Sequence, residues 1–293
     1  MKIFMTCMLA TGILATGIPE GSGNQVSEDA DRMVQVGDIK MAYRIYGNGF
    51  PLVMIMGYGS TMKLWEHGLI RLLSPFFKLI VFDNRGMGNT EEGQRPFTIE
   101  QFADDTAGLM DALGIGQAHV LGWSMGALIA EELVLRHPDK VNKLILYAAH
   151  CNAGLFPPSP EVIKKLTDTS GSPQEQGMRF ISVLFPSAWL QSHGERIKEI
   201  FYRPMGNIPP QTMVKQSTAI DTWKGCCDRL SEIKKPTLVI SGADDLLVPL
   251  QNAHYLADKI PKTKLELHEN SGHGLMFQFP DKFSENVLAF LRM

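Results

Sequence analysis

The sequence predicts an α/β fold, in which a doubly wound, mostly parallel sheet carries an N-terminal antiparallel hairpin and a helical insertion. The first observation is a series of short continuous apolar runs, typical of strands that are covered on both faces. Segments with helical periodicity separate these runs, which indicates right-handed crossovers between parallel strands. Residues 150–230 differ, because prolines punctuate amphipathic pieces there and no convincing strand occurs. This segment is the predicted insertion.

The strands are expected where apolar residues cluster. Residues 33–36 and 39–46 alternate in polarity around Gly37-Asp38, a dipeptide that suits a tight hairpin. Further strands are predicted at residues 52–56, 79–82, 119–121, 144–147, 238–240 and 265–267. An antiparallel hairpin therefore opens the sheet, and parallel strands follow it.

The clearest helical pattern covers residues 98–113. Thr98 and Gln101 are spaced as a capping box, apolar residues recur at helical intervals, and Gly114 supplies the stop. Further helices are predicted near residues 124–136, 250–259 and 281–292 and, within the insertion, at 161–167, 175–184 and 193–201. From residue 98 onward, helices thus alternate with strands except in the insertion.

These elements divide the chain into a core and two further segments. Residues 33–149 and 231–293 form the predicted core, and residues 150–230 leave it at the carboxyl edge of the sheet, where open α/β sheets bind their ligands. Residues 1–32 are interpreted either as a secretory signal or anchor or as an extension without function, in both cases followed by a disordered linker. The protein is expected to be secreted or extracytoplasmic if the signal functions, and cytoplasmic otherwise.

The composition is that of a globular protein and argues against several classes of function. Hydrophobic residues make up 44% of the chain and charged residues 20%, and the net charge of −3 gives no electrostatic basis for binding nucleic acid. The N-terminal apolar stretch is too short for a stable membrane span. The four cysteines lack C-x-x-C spacing, so neither a zinc site nor a disulfide framework is expected, and Cys226-Cys227 are interpreted as packing residues.

Residues Gly122-Trp123-Ser124-Met125-Gly126 carry the most specific chemical signal. Their pattern, G-x-S-x-G, lies between a predicted strand and a predicted helix, which is the context of a nucleophile elbow. The serine of such a turn has a strained backbone, and a Cβ at either glycine would collide with the neighbouring strand or helix. Ser124 is therefore the predicted nucleophile.

A serine hydroxyl needs a base to take its proton and an acid to orient that base. His273 is the candidate base, because it follows a predicted strand and has a glycine on each side that lets its loop present the imidazole. Asp244 and Asp245 are the candidate acids, since both follow the strand at residues 238–240. The order Ser, Asp, His and the positions at strand ends favour a catalytic role for His273 over a structural one.

Residues 33–292 resemble the α/β-hydrolase family. The matching segments are the D-x-R-G-x-G loop at 83–88, the turn at 122–126, the segment at 137–141, the loop at 242–249 and Ser271-Gly272-His273. The resemblance favours Asp245 as the acid, because relatives commonly place theirs in G-x-x-D-x-x-V-P. It also implies an oxyanion hole formed by the backbone N–H groups of Met125 and Tyr58. Met56 departs from the His-Gly-x that relatives often have at this turn.

These residues predict a serine hydrolase that cleaves a carboxylic ester or lactone through an acyl-enzyme. The substrate is expected to be a small ester-like molecule, no metal or organic cofactor is required, and the protein is expected to be a monomer or homodimer. Trp123, Phe156, Phe185 and Trp189 are predicted to line an apolar acyl pocket under the insertion, which the resemblance identifies as a lid. The same residues serve other reactions in the family: proline iminopeptidase activity, carbon–carbon bond hydrolysis, thioester hydrolysis and cofactor-free peroxidation. A ligand-binding or signalling protein with a slow triad is the alternative from another class.

Overall fold

One mostly parallel sheet organises the protein, whose computed structural model describes residues 31–201 and 204–293. The strands are β1 (Arg32–Val36), β2 (Ile39–Tyr46), β3 (Phe50–Ile55), β4 (Phe77–Phe82), β5 (Ala118–Trp123), β6 (Val141–Tyr147), β7 (Thr237–Gly242) and β8 (Thr263–His268). Their order in the sheet is β1-β2-β4-β3-β5-β6-β7-β8. Strand β2 pairs antiparallel with β1 and β4, and the other pairs are parallel. The sheet confirms the predicted fold class and its N-terminal hairpin.

Helices cover both faces of this sheet and form the insertion. They are α1 (His67–Leu73), α2 (Ile99–Ala112), α3 (Met125–Arg136), α4 (Pro160–Thr167), α5 (Pro173–Leu184), α6 (Ser187–Ser192), α7 (Gly194–Phe201), α8 (Pro210–Thr222), α9 (Gln251–Lys259), α10 (Leu275–Gln278) and α11 (Pro280–Arg292). Helices α1, α6, α8 and α10 are not predicted from the sequence. Pro209-Pro210 suggests a break, yet proline suits the first turn of α8 because its missing N–H needs no acceptor there. None of the described helices is long and apolar enough to cross a membrane.

The start of α2 differs in one detail from the predicted capping box. The Thr98 side chain accepts a hydrogen bond from the Gln101 N–H at 3.0 Å, as expected. The Gln101 side chain, however, points along the helix and donates to the Asp105 carboxylate at 2.9 Å. Only the hydrogen bond to the Thr98 side chain forms. The Gln101 side chain does not complete the capping box, because the charged Asp105 carboxylate one turn later competes for its amide.

Alternate residues of the central strands enter two hydrophobic layers on opposite faces of the sheet. In β3, Val53 and Ile55 join the layer that α2 and α3 cover, whereas Leu52 and Met54 join the layer that α1 and α11 cover. All four side chains are fully buried, and each contributes roughly 1.5–3 kcal/mol to folding. Burial on both faces explains why the sequence of β3 is continuously apolar rather than alternating.

A buried arginine fixes the loop after β4. Arg85 is fully buried and donates to Asp105 of α2 at 2.7 and 2.8 Å and to Asp38 in the hairpin turn at 2.9 Å. The hydrogen bond from Arg85 holds the pKa of Asp38 well below its usual range. The D-x-R segment of the sequence therefore joins the hairpin to α2 and acts as a structural tie.

The insertion leaves the core at the carboxyl end of β6 and returns at β7. Its described residues form helices α4 to α8 and contain no strand. Ile181, Leu184 and Ile197 pack in the layer that also contains α1 and α11, while Ile220 of α8 packs in the opposite layer. The insertion is therefore anchored in both hydrophobic layers.

A disulfide between Cys151 and Cys227 shows that the prediction of no disulfide was wrong. The two residues are 76 positions apart and meet only because the two ends of the insertion come together, with Cα atoms 4.9 Å apart. Sequence spacing carries no signal for such a pair. Cys226 is a buried free thiol, so the packing interpretation holds for this residue alone.

Reduction of the Cys151–Cys227 disulfide is expected to lower the free energy of unfolding by about 2–4 kcal/mol, because a crosslink across a long loop restricts the unfolded chain. Urea denaturation with and without reductant measures this loss. The double variant Cys151→Ser/Cys227→Ser should show the same loss and no further response to reductant. Identical denaturation midpoints for the oxidised and reduced protein would contradict the pairing.

The predicted signal and most of the linker lie outside the described residues. At the boundary, the Asp31 carboxylate accepts a hydrogen bond from Arg44 of β2 at 2.6 Å. Arg32, which was assigned to the linker segment, is the first residue of β1. The described part of the core therefore includes residues 31 and 32, and this ion pair links the start of β1 to its neighbouring strand.

Candidate active site

Ser124 occupies a sharp turn between β5 and α3. Its backbone lies at φ 55° and ψ −120°, a region that costs a residue with a side chain on the order of 1–3 kcal/mol. The Ser124 N–H donates to the Tyr147 carbonyl at the end of β6 at 2.9 Å. The serine is partly accessible, so the strained turn presents its hydroxyl at the carboxyl edge of the sheet.

Close packing requires both glycines of the motif. A Cβ on Gly126 would overlap the Ile55 carbonyl at the end of β3, and a Cβ on Gly122 would overlap the Gly126 carbonyl in α3. Because both positions lack a side chain, the first turn of α3 lies directly against the strands. The positive end of the α3 dipole is thereby directed at the serine.

His273 and Asp245 meet at the same edge of the sheet, on the loops that follow β8 and β7. His273 Nδ1 lies 2.8 Å from Asp245 Oδ2, and both side chains are almost completely buried. A carboxylate at Nδ1 stabilises the tautomer with its proton on Nδ1, which leaves Nε2 able to accept a proton. This geometry suits an imidazole that acts as a base.

The two candidate acids have different surroundings. Asp245 is buried, and its Oδ1 accepts hydrogen bonds from the N–H groups of Leu247 and Val248, both at 2.9 Å. Its second oxygen contacts the imidazole. Asp244 is exposed, and its N–H donates to the Ser271 carbonyl. The carboxylate that touches His273 is therefore that of Asp245.

Three hydrogen bonds fix the loop that carries His273. The Trp123 indole N–H and the Tyr147 hydroxyl both donate to the His273 carbonyl, at 3.3 and 2.6 Å. The Gly274 N–H donates to the Leu184 carbonyl at the end of α5, which ties the insertion to this loop. Burial raises the pKa of Tyr147 well above its usual range, so its hydroxyl remains a donor. Hydrogen bonds with β5, β6 and the insertion therefore hold the backbone of the loop that carries His273.

The predicted oxyanion donors lie on two segments that flank Ser124. Met125 is the first residue of α3, so its N–H has no acceptor within the helix. Tyr58 belongs to the turn after β3, and a Cβ on the neighbouring Gly57 would lie 3.5 Å from the Ser124 Cβ. The turn therefore abuts the serine. Whether both N–H groups receive a substrate oxygen stays a prediction.

Hydrogen bonds to two other segments support this turn. Met56 is fully buried, and its carbonyl accepts a hydrogen bond from the Asn84 amide at 3.1 Å. The Tyr58 hydroxyl donates to the Met213 carbonyl in α8 at 3.0 Å. Sequence reasoning missed Asn84 because its partner lies on a different loop. Asn84, the middle residue of the D-x-R segment, thus supports the turn after β3.

Three of the four aromatic residues predicted to line the acyl pocket lie in one hydrophobic layer, and the fourth lies apart from them. Phe185 and Trp189 stack with ring centroids 4.9 Å apart, buried in the layer that contains α1 and α11. Trp123 is buried in the same layer. Phe156 packs on Tyr255 of α9, with ring centroids 5.9 Å apart. Packing accounts for all four positions, and their role in a pocket stays a prediction.

Two polar residues near the site are absent from the sequence predictions. His150 follows β6, and burial together with the charge of His273 lowers the pKa of His150 to about 4, so its imidazole is neutral at neutral pH. Gln216 of α8 is fully buried, and its Oε1 accepts the Gly59 N–H at 2.9 Å. Neither residue belongs to a motif, because only the folding of the insertion over the sheet brings them to the site.

Known proteins share this fold. Residues 51–203 match the model of the alpha/beta hydrolase fold family. A relative from Agrobacterium fabrum, named "Putative carbamate hydrolase RutD", is 30% identical over 247 residues, which cover 82% of this chain and 92% of the relative. The protein of the same name from Azorhizobium caulinodans is 29% identical over 256 residues, covering 87% and 96%. The enol-lactonase from Burkholderia xenovorans LB400 superposes with a TM-score of 0.76 at 25% identity, covering 89% of this chain and 100% of that structure.

The family match covers just over half of the 293 residues and includes both the turn at Ser124 and the turn at Tyr58. Two of the similar proteins are named carbamate hydrolases and the third an enol-lactonase, and each aligns over nearly its whole length. The chain therefore belongs to the α/β-hydrolase fold family, and it is a hydrolase of this family.

Proposed function

We propose that the protein is a serine hydrolase that cleaves a carboxylic ester or lactone through an acyl-enzyme. One observation carries the proposal. Ser124 is held at φ 55° in the turn between β5 and α3, and the hydrogen-bonded pair of His273 and Asp245 lies at the same carboxyl edge of the sheet. A strained serine, an oriented imidazole and a buried carboxylate are the parts that acyl transfer requires.

The proposed reaction has two half-reactions. Ser124 Oγ attacks the carbonyl carbon while His273 Nε2 takes the hydroxyl proton. The oxyanion that forms accepts hydrogen bonds from the N–H groups of Met125 and Tyr58. The bond to the leaving oxygen then breaks, and the imidazolium gives its proton to that oxygen. Water then attacks the acyl-enzyme with Nε2 as its base, and the imidazolium returns this proton to Ser124 Oγ as the acid is released. Asp245 stabilises the imidazolium in both half-reactions.

Carbamate hydrolysis is the second candidate, and the names of the two relatives support it. A carbamate presents the same carbonyl carbon to Ser124, so the attack and the oxyanion are unchanged. The intermediate is then a carbamoyl-enzyme, whose nitrogen donates electrons into the carbonyl and slows the attack of water. A substrate panel of p-nitrophenyl esters, lactones, p-nitrophenyl carbamates and proline amides distinguishes the candidates by their relative kcat/KM.

Labelling with a fluorophosphonate probe tests the nucleophile itself. We expect one covalent adduct, located on Ser124 by mass spectrometry, because an activated hydroxyl displaces fluoride from phosphorus. Heat-denatured protein is the control and should remain unlabelled. An adduct on another residue, or none, would favour a ligand-binding or signalling protein on this fold over a serine hydrolase.

A further inference from the structure

Helix α8 places a buried amide beside the oxyanion turn. Gln216 is fully buried, and its Oε1 accepts the Gly59 N–H at 2.9 Å. This bond fixes which end of the amide is oxygen, because a backbone N–H can only donate. The Nε2 end then has two N–H groups to offer, and it has no hydrogen-bond partner among the described residues.

The connection from Gln216 to the nucleophile is short. Gly57 abuts Ser124 at the start of the turn, where a Cβ would lie 3.5 Å from the Ser124 Cβ. Gly59 is two residues further along, a separation that the chain spans with at most about 7 Å. Because Gln216 contacts Gly59 directly, its amide lies against the oxyanion turn, where the insertion meets the core.

A second buried polar atom lies at the other end of the same helix face. Trp223 follows Gln216 by seven positions, or roughly 10 Å along a helix, and Ile220 between them is buried on the same face. The Trp223 ring lies 6.3 Å from the ring of His150. His150 Nδ1 is buried and has no hydrogen-bond partner within the described ranges. The interface between the insertion and the core therefore contains two buried polar groups, the Gln216 amide and the His150 imidazole.

We propose that Gln216 is a specificity-determining residue, whose Nε2 donates a hydrogen bond to an oxygen in the acyl part of the substrate. The preferred acyl group then carries a second oxygen acceptor besides the carbonyl that is attacked. This inference rests on the proposed function of Ser124. A buried donor without a partner is unfavourable, so a substrate that supplies the acceptor binds better than one that does not. The sequence alone favours an apolar acyl group. The Gln216 amide favours instead an acyl group that carries an oxygen acceptor.

Matched pairs of p-nitrophenyl esters test the inference on the unmodified protein. The first pair is the 4-oxopentanoate and the pentanoate, and the second is the 5-oxohexanoate and the hexanoate. Within a pair the leaving group and chain length are the same, and one oxygen acceptor differs. We expect kcat/KM to be about 10-fold higher for the oxo ester of at least one pair, mainly through a lower KM. Equal values within both pairs, together with turnover of all four esters, would overturn the role of Gln216.

Two glutamine variants locate the preference. Gln216→Met removes the amide donor and cannot supply another, so the ratio of oxo to plain ester should fall to about 1. Because the ratio compares two esters on the same variant, a general loss of support for the turn affects both esters alike. Gln211→Met, at an exposed position of the same helix, should keep the wild-type ratio. Circular dichroism establishes that each variant is folded, and Gln216→Leu replaces the methionine variant if that variant does not fold. A preference that survives the loss of the amide would contradict the inference. Absence of turnover of every ester, with no labelling of Ser124, would instead contradict the proposed function.

Discussion

Replacing Ser124 by alanine is expected to lower kcat for p-nitrophenyl pentanoate by about 10⁴- to 10⁶-fold. The variant loses the only atom of this site that forms the bond to the acyl carbon in the proposed reaction. The oxyanion donors at Met125 and Tyr58 remain and account for any residual rate. Release of p-nitrophenolate, followed at saturating ester, measures the loss.

The backbone of the variant should be unchanged, since alanine at position 124 has the same Cβ as the serine. Its denaturation midpoint is therefore expected to match that of the wild type. Ser231→Ala, at an exposed position, is the matched control and should retain full activity. Turnover that survives in Ser124→Ala would show that the nucleophile lies elsewhere.

Replacing Asp245 by asparagine is expected to lower kcat by about 10³- to 10⁴-fold. The N–H groups of Leu247 and Val248 hold one oxygen of residue 245 at 2.9 Å, so the asparagine must keep its oxygen there. Its NH₂ group then faces His273 Nδ1, which has to accept a hydrogen bond. The imidazole proton moves to Nε2, and this nitrogen can no longer take the proton of Ser124.

The adjacent aspartate provides the control for this experiment. Asp244→Asn changes a carboxylate that is exposed, whereas the Asp245 carboxylate is buried against the imidazole. We expect kcat of Asp244→Asn to stay within about 2-fold of the wild type. The reverse pattern, with a large loss at position 244 and a small one at 245, would contradict the assignment of the acid. Steady-state kcat of both variants at one pH is sufficient.

The sequence predicted the sheet well because its signals are local. The runs at residues 52–56 and 79–82 overlap most of β3 and β4, since strands buried on both faces are apolar along most of their length. The turn at residues 122–126 was equally readable, because a strand, a serine between two glycines and a helix follow one another without a gap. Helix α8 was missed, because its prolines resemble a break until they are seen at the first turn.

The sequence by itself determined the fold class, the strained turn of Ser124 and the loops that carry His273 and the two candidate acids. These features depend on residues that are neighbours in the chain. Only the tertiary structure decided which aspartate touches the imidazole, that Cys151 pairs with Cys227, and that Gln216 lies against the oxyanion turn. Each of these contacts joins segments that are far apart in sequence. Their formation depends on how the insertion closes over the sheet, and no local pattern of residues records that geometry.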